Sequence, residues 1–156
     1  FSFGNSENLN AATRDCSRLL ITESRGPTLL IDGTDGSIVR QLPPTFGYYR
    51  NSFFSSDGKY FISQSHPWER NPLTRLYPSR VSLWLSETGE LLAEFPSETD
   101  LYVLPFLPNN EAFMTFSETG QIQSWPNDIF TWATKHLPRE LTLFERKEFL
   151  NIPISD

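Results

Sequence analysis

The first residues to consider are those that could attack a substrate or transfer a proton. Ser63, Ser65 and His66 adjoin in the sequence, and serine with histidine is the combination used in nucleophilic hydrolysis. Such a site also needs an acid that orients the histidine and donors that hold an oxyanion. Closeness in sequence supplies neither, so we predict no serine nucleophile here.

Carboxylates are the second group that could do acid–base or metal chemistry. Asp32 and Asp35 fall in one predicted turn, and Glu87, Glu98 and Glu118 also fall at turns. Acidic residues in turns commonly satisfy the backbone of their own turn, so a turn-forming, solvated role is expected. We therefore predict no catalytic residue, no metal ligand and no cofactor site in this chain.

A segment rich in aromatic and basic residues is the strongest candidate for a binding surface. It runs from Gln64 to Arg80 (QSHPWERNPLTRLYPSR), and its three prolines predict a loop rather than a strand. Trp, Tyr and Arg dominate the energetics of protein interfaces. The alternative is that the aromatic rings pack down on the domain and the arginines are solvated. The predicted partner contacts are Trp68, Arg70, Arg75, Tyr77 and Arg80.

Composition narrows the class of protein. A net charge of −6 argues against a nucleic-acid surface, which needs clustered positive charge. The lone Cys16 excludes an internal disulfide, and no apolar run approaches the roughly 18 to 20 residues of a membrane span. Four Trp, thirteen Phe and five Tyr, with twelve Pro and eight Gly, favour many short strands joined by tight turns.

The elements that position these residues are repeated. A turn followed by an apolar stretch recurs around Asp15, Asp57 and Asn109, at intervals of 42 and 52 residues. A strand with Trp84 recurs 41 residues later with Trp125, and Ile31 holds the same place in the first copy. A period of about 40 to 45 residues is typical of four-stranded propeller blades.

Each copy opens with a predicted β-hairpin. Asp57-Gly58 favours a turn in which both central residues have positive φ, and Asn109-Asn110 permits the same turn. Cys16 stands where Gly58 stands, which predicts a different or mildly strained turn in the first copy. Trp84 and Trp125 are expected in the core.

The predicted fold class is all-β, a partial β-propeller of about three four-stranded antiparallel blades with a short helical tail. The tail rests on two cap signals, at Asn127-Asp128 and at Thr142 to Glu145. The predicted units are blades at 1–45, at 46–98 with the inserted loop 64–80, and at 99–126, followed by the tail at 127–156.

The hairpin FSSDGKYFIS and the strands VSLWLSETGELLAEF resemble the repeat of WD-repeat β-propellers, over roughly residues 9 to 126. The ending resembles the helical tail of bacterial multidomain WD-repeat proteins, through the segment Arg139 to Glu145. The family's Gly-His pair is absent, and Leu85 and Pro126 follow the two tryptophans where the family has Asp. Its buried Asp–His–Ser/Thr–Trp network therefore cannot form in full, and apolar packing must hold the blades.

The resemblance implies a non-enzymatic scaffold that binds a protein partner, within a larger and signalling protein of the bacterial cytoplasm. Three blades cannot close a ring, since closed propellers have four to eight. The missing blades are expected to precede Phe1 or to come from another chain, or else the stack has an open edge that invites pairing. The alternative is part of a propeller enzyme, a hydrolase or dehydrogenase, whose catalytic residues lie elsewhere. No nucleic acid, membrane or cofactor is expected as a partner.

Overall fold

The structure is a computed structural model, and it describes residues 7–23, 27–43, 48–66, 78–97 and 100–128. These residues form three antiparallel sheets of four, four and three strands, each in simple up-and-down order. The chain is thus all-β in its described part, as predicted. The strands are β1 (Glu7–Ala12), β2 (Arg18–Glu23), β3 (Thr28–Asp32), β4 (Ile38–Gln41), β5 (Tyr48–Phe54), β6 (Tyr60–His66), β7 (Ser79–Leu85), β8 (Glu90–Ser97), β9 (Leu101–Leu104), β10 (Ala112–Ser117) and β11 (Ile122–Pro126).

The sheets β1–β4, β5–β8 and β9–β11, hereafter the first, second and third blades, stack face against face. Their first strands lie side by side, because β1 contacts β5 and β5 contacts β9. One buried cluster joins the first two blades: Leu20, Leu30, Leu42, Phe61 and Trp84. A second joins the last two: Ile62, Val81, Leu83, Leu101, Val103 and Phe113. The second blade is therefore apolar on both faces, as expected for a sheet packed between two others.

The three copies of the sequence repeat make the same backbone hydrogen bonds in their opening hairpins. In the opening hairpin of each blade the first residue of the turn donates its N–H to the carbonyl five residues later: Thr13 to Arg18, Ser55 to Tyr60 and Leu107 to Ala112. The same residue accepts from the N–H three positions on: from Cys16, Gly58 and Asn110. The three turns, Thr13–Cys16, Ser55–Gly58 and Leu107–Asn110, therefore share one backbone conformation.

The prediction of two central residues with positive φ was wrong. Only the fourth residue of each turn has positive φ: 58° at Cys16, 70° at Gly58 and 55° at Asn110. Negative φ at the two central residues, together with the bond from the fourth N–H to the first carbonyl, is the pattern of a type I turn. Cys16 holds the left-handed position without being glycine or asparagine, which is an uncommon conformation for its type.

The connection between β6 and β7 is shorter than the predicted loop from Gln64 to Arg80. β6 continues through His66 and β7 begins at Ser79, so the connection is 67–78. The predicted loop was therefore wrong at both of its ends, where residues 64–66 and 79–80 belong to paired strands, with Gln64 opposite Val81 and Ser65 opposite Arg80. The predicted helical tail lies outside the described residues from position 129 onward. No helix in the described part is long and apolar enough to cross a bilayer.

Candidate functional site

The candidate site begins where the connection 67–78 leaves the second blade. Gln64, Ser65 and His66 at the end of β6 are buried, and so is Ser79 at the start of β7. Burial of polar side chains is tolerated when they are hydrogen-bonded. Both ends of the connection are therefore held inside the sheet stack.

Side chains of the second blade bind the backbone of the third at this point. Gln64 donates through Nε2 to the carbonyl of Leu101, the first residue of β9. The N–H of Leu101 donates to Ser79 Oγ at 2.9 Å. Asn51 Nδ2 donates to Gln64 Oε1 at 3.1 Å and so orients the carboxamide. Both backbone groups of one β9 residue are thus fixed by the two strands that flank the connection.

A histidine and an aspartate complete this buried group. His66 Nε2 lies 3.4 Å from Asp100 Oδ1 and 2.7 Å from Gln64 Nε2. The side chains of His66 and Asp100 are only 1% and 7% exposed. A general acid or base must come within hydrogen-bond reach of a substrate. The burial of this pair suits a structural link between blades better than proton transfer to a ligand.

The adjacent serines do not meet the histidine across the sheet. Side chains alternate along a strand, so Ser63 and Ser65 point to one face of β6 and His66 to the other. Ser63 Oγ instead accepts from Trp84 Nε1 at 2.8 Å, facing the first blade. The geometry thus separates Ser63 from His66, and the expectation that the chain has no serine nucleophile stays a prediction.

Arg80 is the one predicted partner contact that lies among the described residues. It pairs with Ser65 across the sheet, and its Nη1 lies 3.3 Å from Glu94 Oε1 on β8. Its side chain is 27% exposed and belongs to the second residue of β7, next to the connection. The other four predicted contacts, Trp68, Arg70, Arg75 and Tyr77, lie outside the described residues and stay predictions.

The turn carboxylates serve their own turns. Asp32 Oδ1 accepts from the hydroxyl and N–H of Thr34 at 2.5 and 2.9 Å, and these bonds lower the pKa of Asp32. Arg18 Nη1 adds an ion pair to Asp32 Oδ2 at 2.6 Å. Asp35 Oδ1 accepts from the Ser37 N–H at 2.8 Å, which lowers the Asp35 pKa in the same way. Within the described ranges, His, Cys, Asp and Glu form no group of three able to hold a metal.

The tryptophans form part of the hydrogen-bond pattern that the sequence suggested could not form in full. Trp84 Nε1 donates to Ser63 Oγ in the second blade, and Trp125 Nε1 donates to Thr115 Oγ1 at 2.9 Å in the third. Trp84 is 1% exposed and stacks on Phe61, as predicted for a core aromatic. The Trp-to-hydroxyl bond is thus present in two blades, alongside the apolar packing.

Comparison with known proteins shows a likeness of structure. No family model matches the chain, and no curated protein matches it. An oligogalacturonate lyase solved with manganese has a TM-score of 0.59 at 14% identity, over 81% of this chain and 40% of that one. The β-propeller domain of Cps50 (Swd1) from Myceliophteria thermophila has a TM-score of 0.55 at 17% identity, over 77% and 38%.

An acylaminoacyl peptidase is also similar, with a TM-score of 0.58 at 8% identity over 81% of this chain and 24% of that one. The chain thus spans between about a quarter and two fifths of these neighbours. At such identities the likeness shows the fold alone: three blades consistent with part of a β-propeller. The neighbours include both a WD40-type propeller and enzymes, so they leave the activity open.

Proposed function

We propose that this chain is part of a WD-repeat-like β-propeller that acts as a non-enzymatic scaffold and binds a protein partner through the connection 67–78 and the adjoining Arg80. The observation that supports this most is the buried anchoring of both ends of the connection. Gln64 and Ser79, which flank it, both bind Leu101 of the next blade. A contact segment whose ends are already fixed has less conformational entropy to lose on binding.

The other connections on the same side of the stack differ in length. Antiparallel strands place the β2–β3, β6–β7 and β10–β11 connections at one end of the blades. The β10–β11 connection is a tight turn, in which Gly120 N–H donates to the Ser117 carbonyl at 2.9 Å. The β6–β7 connection has twelve residues, 67–78. Long connections on a rigid scaffold are frequent sites of binding.

The composition of the connection supports a protein as the ligand. Trp68, Arg70, Arg75 and Tyr77 are residue types enriched at interface hot spots. Arg80 adds a partly exposed side chain next to the connection, paired with Glu94. From the sequence resemblance we infer a larger signalling protein of the bacterial cytoplasm as the setting, with further blades supplied by that protein or by another chain.

Site-specific cross-linking in the full-length protein tests this proposal. A photoreactive amino acid replaces Trp68 in one variant and Thr119, in the tight β10–β11 turn, in the matched control. We expect a discrete protein adduct from position 68 and none from position 119. The purified partner should then bind the Trp68→Ala/Arg75→Ala variant at least tenfold more weakly, with an unchanged melting temperature.

Two outcomes contradict the scaffold proposal. Adducts of equal yield at both positions would show no preference for the connection. A large drop in melting temperature of the double variant would show that the two side chains pack on the blade.

The second candidate function is part of a propeller enzyme, favoured by the likeness to a lyase and a peptidase. Catalytic groups would then lie in other parts of the full protein or toward the axis of the stack. Assays of the full-length protein for hydrolase, lyase and dehydrogenase activity distinguish the two. Turnover that is lost with a substitution in the described blades would favour the enzyme.

A further inference from the structure

A polar cleft lies on the opposite side of the stack from the connection 67–78. It has a volume of about 480 Å³ and lies between the opening turns of the first and second blades. Residues of the first turn line one wall and residues of the second turn line the other: Thr13, Arg14, Asp15 and Ser17, and Ser56, Asp57 and Gly58. The boundary between the second and third blades is built from turns of the same conformation, and there a side chain fills the corresponding gap.

At the boundary between the second and third blades, a side chain of the third turn reaches back to the second. Asn110, the fourth residue of its turn, accepts through Oδ1 from the Ser56 N–H at 2.8 Å. The Ser56 hydroxyl also donates to Oδ1, at 3.0 Å. A carboxamide oxygen therefore occupies the gap between these turns and satisfies the second residue of the preceding turn.

The equivalent residues at the first boundary are Gly58 and Arg14. Gly58 takes the place of Asn110 and has no side chain, so nothing of this kind can reach across. Arg14 takes the place of Ser56, and among the described residues no protein group accepts from its N–H. A β-carbon at Gly58 would lie 3.4 Å from Thr13 Cγ2, an ordinary contact, so the space is open enough for a side chain.

The charged residues that line the cleft determine which chemical class of ligand can bind there. Hydrogen bonds from the N–H and hydroxyl of Ser17 lower the Asp15 pKa to about 2. At Asp57, burial raises the pKa, but bonds from the Ser55 hydroxyl and the Lys59 N–H outweigh it and the pKa is lowered. Both carboxylates are thus ionised at neutral pH, and their two negative charges outnumber the one positive charge of Arg14, so together they disfavour an incoming carboxylate.

We propose that this cleft binds a primary carboxamide, the Asn or Gln side chain of a peptide, with its oxygen on the Arg14 N–H and its NH₂ group toward Asp15 and Asp57. Asn110 on Ser56 is the internal counterpart of that contact. A carboxamide brings an acceptor and two donors without net charge, which suits a site that offers an open backbone donor and two carboxylates beside the Arg14 guanidinium. The site is independent of the partner surface proposed at the connection 67–78.

Amide chemical shifts of the full chain test the proposal with small probes. N-acetyl-asparagine methylamide is titrated, with the aspartate and leucine analogues as controls. We expect saturable shifts of the Arg14, Asp57 and Gly58 amides with the asparagine probe, weaker shifts with aspartate and none with leucine. No shift at these amides, or equal shifts with all three probes, would overturn the proposal.

Two substitutions at Arg14 separate the backbone donor from the side chain. Arg14→Pro removes the N–H, and proline suits the second residue of a type I turn. The third turn already carries Pro108 at this position, so the backbone accommodates it. Arg14→Ala removes the guanidinium and keeps the N–H. We expect about tenfold weaker probe binding for the proline variant, on the order of one hydrogen bond, and little change for the alanine variant. Equal losses in both would overturn the assignment of the backbone donor.

Exchanging the fourth turn residues provides a reciprocal test. Gly58→Asn should place an internal carboxamide on Arg14, slow hydrogen exchange of the Arg14 N–H and abolish probe binding. Asparagine is tolerated at positive φ, as Asn110 shows. Asn110→Gly should open a second cleft, and the probe should then shift the Ser56 amide. If Gly58→Asn leaves both hydrogen exchange and probe binding unchanged, the equivalence of the two boundaries is wrong.

Discussion

The first and second blades have the same strands and turns but different chemistry at one equivalent pair of positions. In the second blade Trp84 donates to Ser63 at 2.8 Å between β7 and β6. In the first blade the equivalent residues are Ile31 and Ile21, opposite Leu19 and Leu29. Both members of the pair carry a hydrogen-bonding group in the second blade, and both are aliphatic in the first.

This difference indicates that the two positions are matched to each other: both residues take part in a hydrogen bond or neither does. A buried indole N–H without an acceptor costs about 1–3 kcal/mol, and so does a buried hydroxyl without a partner. Trp84 with an isoleucine at position 63 would leave the first defect, and Ser63 without the indole would leave the second. The blade fold accepts either complete solution, which explains how the repeat survives without a fixed sequence.

Trp84→Ala is expected to give the largest effect on this comparison. It removes a ring that is 1% exposed and stacked on Phe61, with ring centroids 5.8 Å apart. Loss of a buried aromatic side chain costs about 3–5 kcal/mol in unfolding free energy. Urea denaturation measures the loss, with Ile31→Ala as the control. Ile31 is only half-buried, so we expect a smaller loss there. Equal losses would mean that the two positions are not energetically distinct.

Ser63→Ala is expected to have an intermediate effect. It keeps the ring of Trp84 but removes the acceptor of its N–H, which costs about 1–3 kcal/mol for a buried donor. Thr115→Ala is the matched control, because the equivalent bond from Trp125 to Thr115 is only partly buried. Adding Trp84→Phe tests the pair, since the double variant should lose less than the two single losses combined. Strict additivity would show that the hydrogen bond contributes nothing.

Asp15→Asn should have the smallest effect, visible only in acid. Asp15 has a folded pKa of about 2, below the ordinary value near 3.9. Its contribution is therefore complete above about pH 4 and is lost as pH falls toward 2. Asn109 accepts the equivalent turn bond from Glu111 N–H at 3.2 Å, so asparagine suits the turn. Denaturation at pH 2 to 5 should show a smaller acid-induced loss in the variant. Parallel pH profiles would contradict the assignment.

The sequence predicted the fold because its turn signals are local. Asp57-Gly58 and Asn109-Asn110 mark hairpins at a constant distance from an apolar strand, so the blades could be placed before any coordinates. The finer turn geometry could not be read in the same way, because Asp-Gly is compatible with more than one turn type. The shared hydrogen bonds of the three turns decide between them.

The strand ends on either side of the connection 67–78 were predicted as loop because their residues are polar, although they are buried. Gln64, Ser65 and His66 look like loop residues, since burial of such side chains is uncommon without partners. The partners of Gln64 and His66, which are Leu101 and Asp100, lie more than 30 residues later, at the start of the next blade. The cleft was also missed, because its two walls lie in different blades. The residue at the fourth position of each turn (Cys16, Gly58 and Asn110) was the sequence signal for it, since glycine has no side chain that could reach the preceding turn.

Pro108 prevents the third turn from donating the backbone hydrogen bond that the second turn donates through Ser56. Ser56 offers its N–H to the asparagine of the following turn, but proline has no N–H to offer. Any blade that packs beyond the third therefore cannot receive this backbone hydrogen bond from the second residue of the third turn. Of the two described boundaries only the second has this turn-to-turn bond, so a boundary beyond Pro108 would resemble the first one, where Gly58 and Arg14 make no such contact.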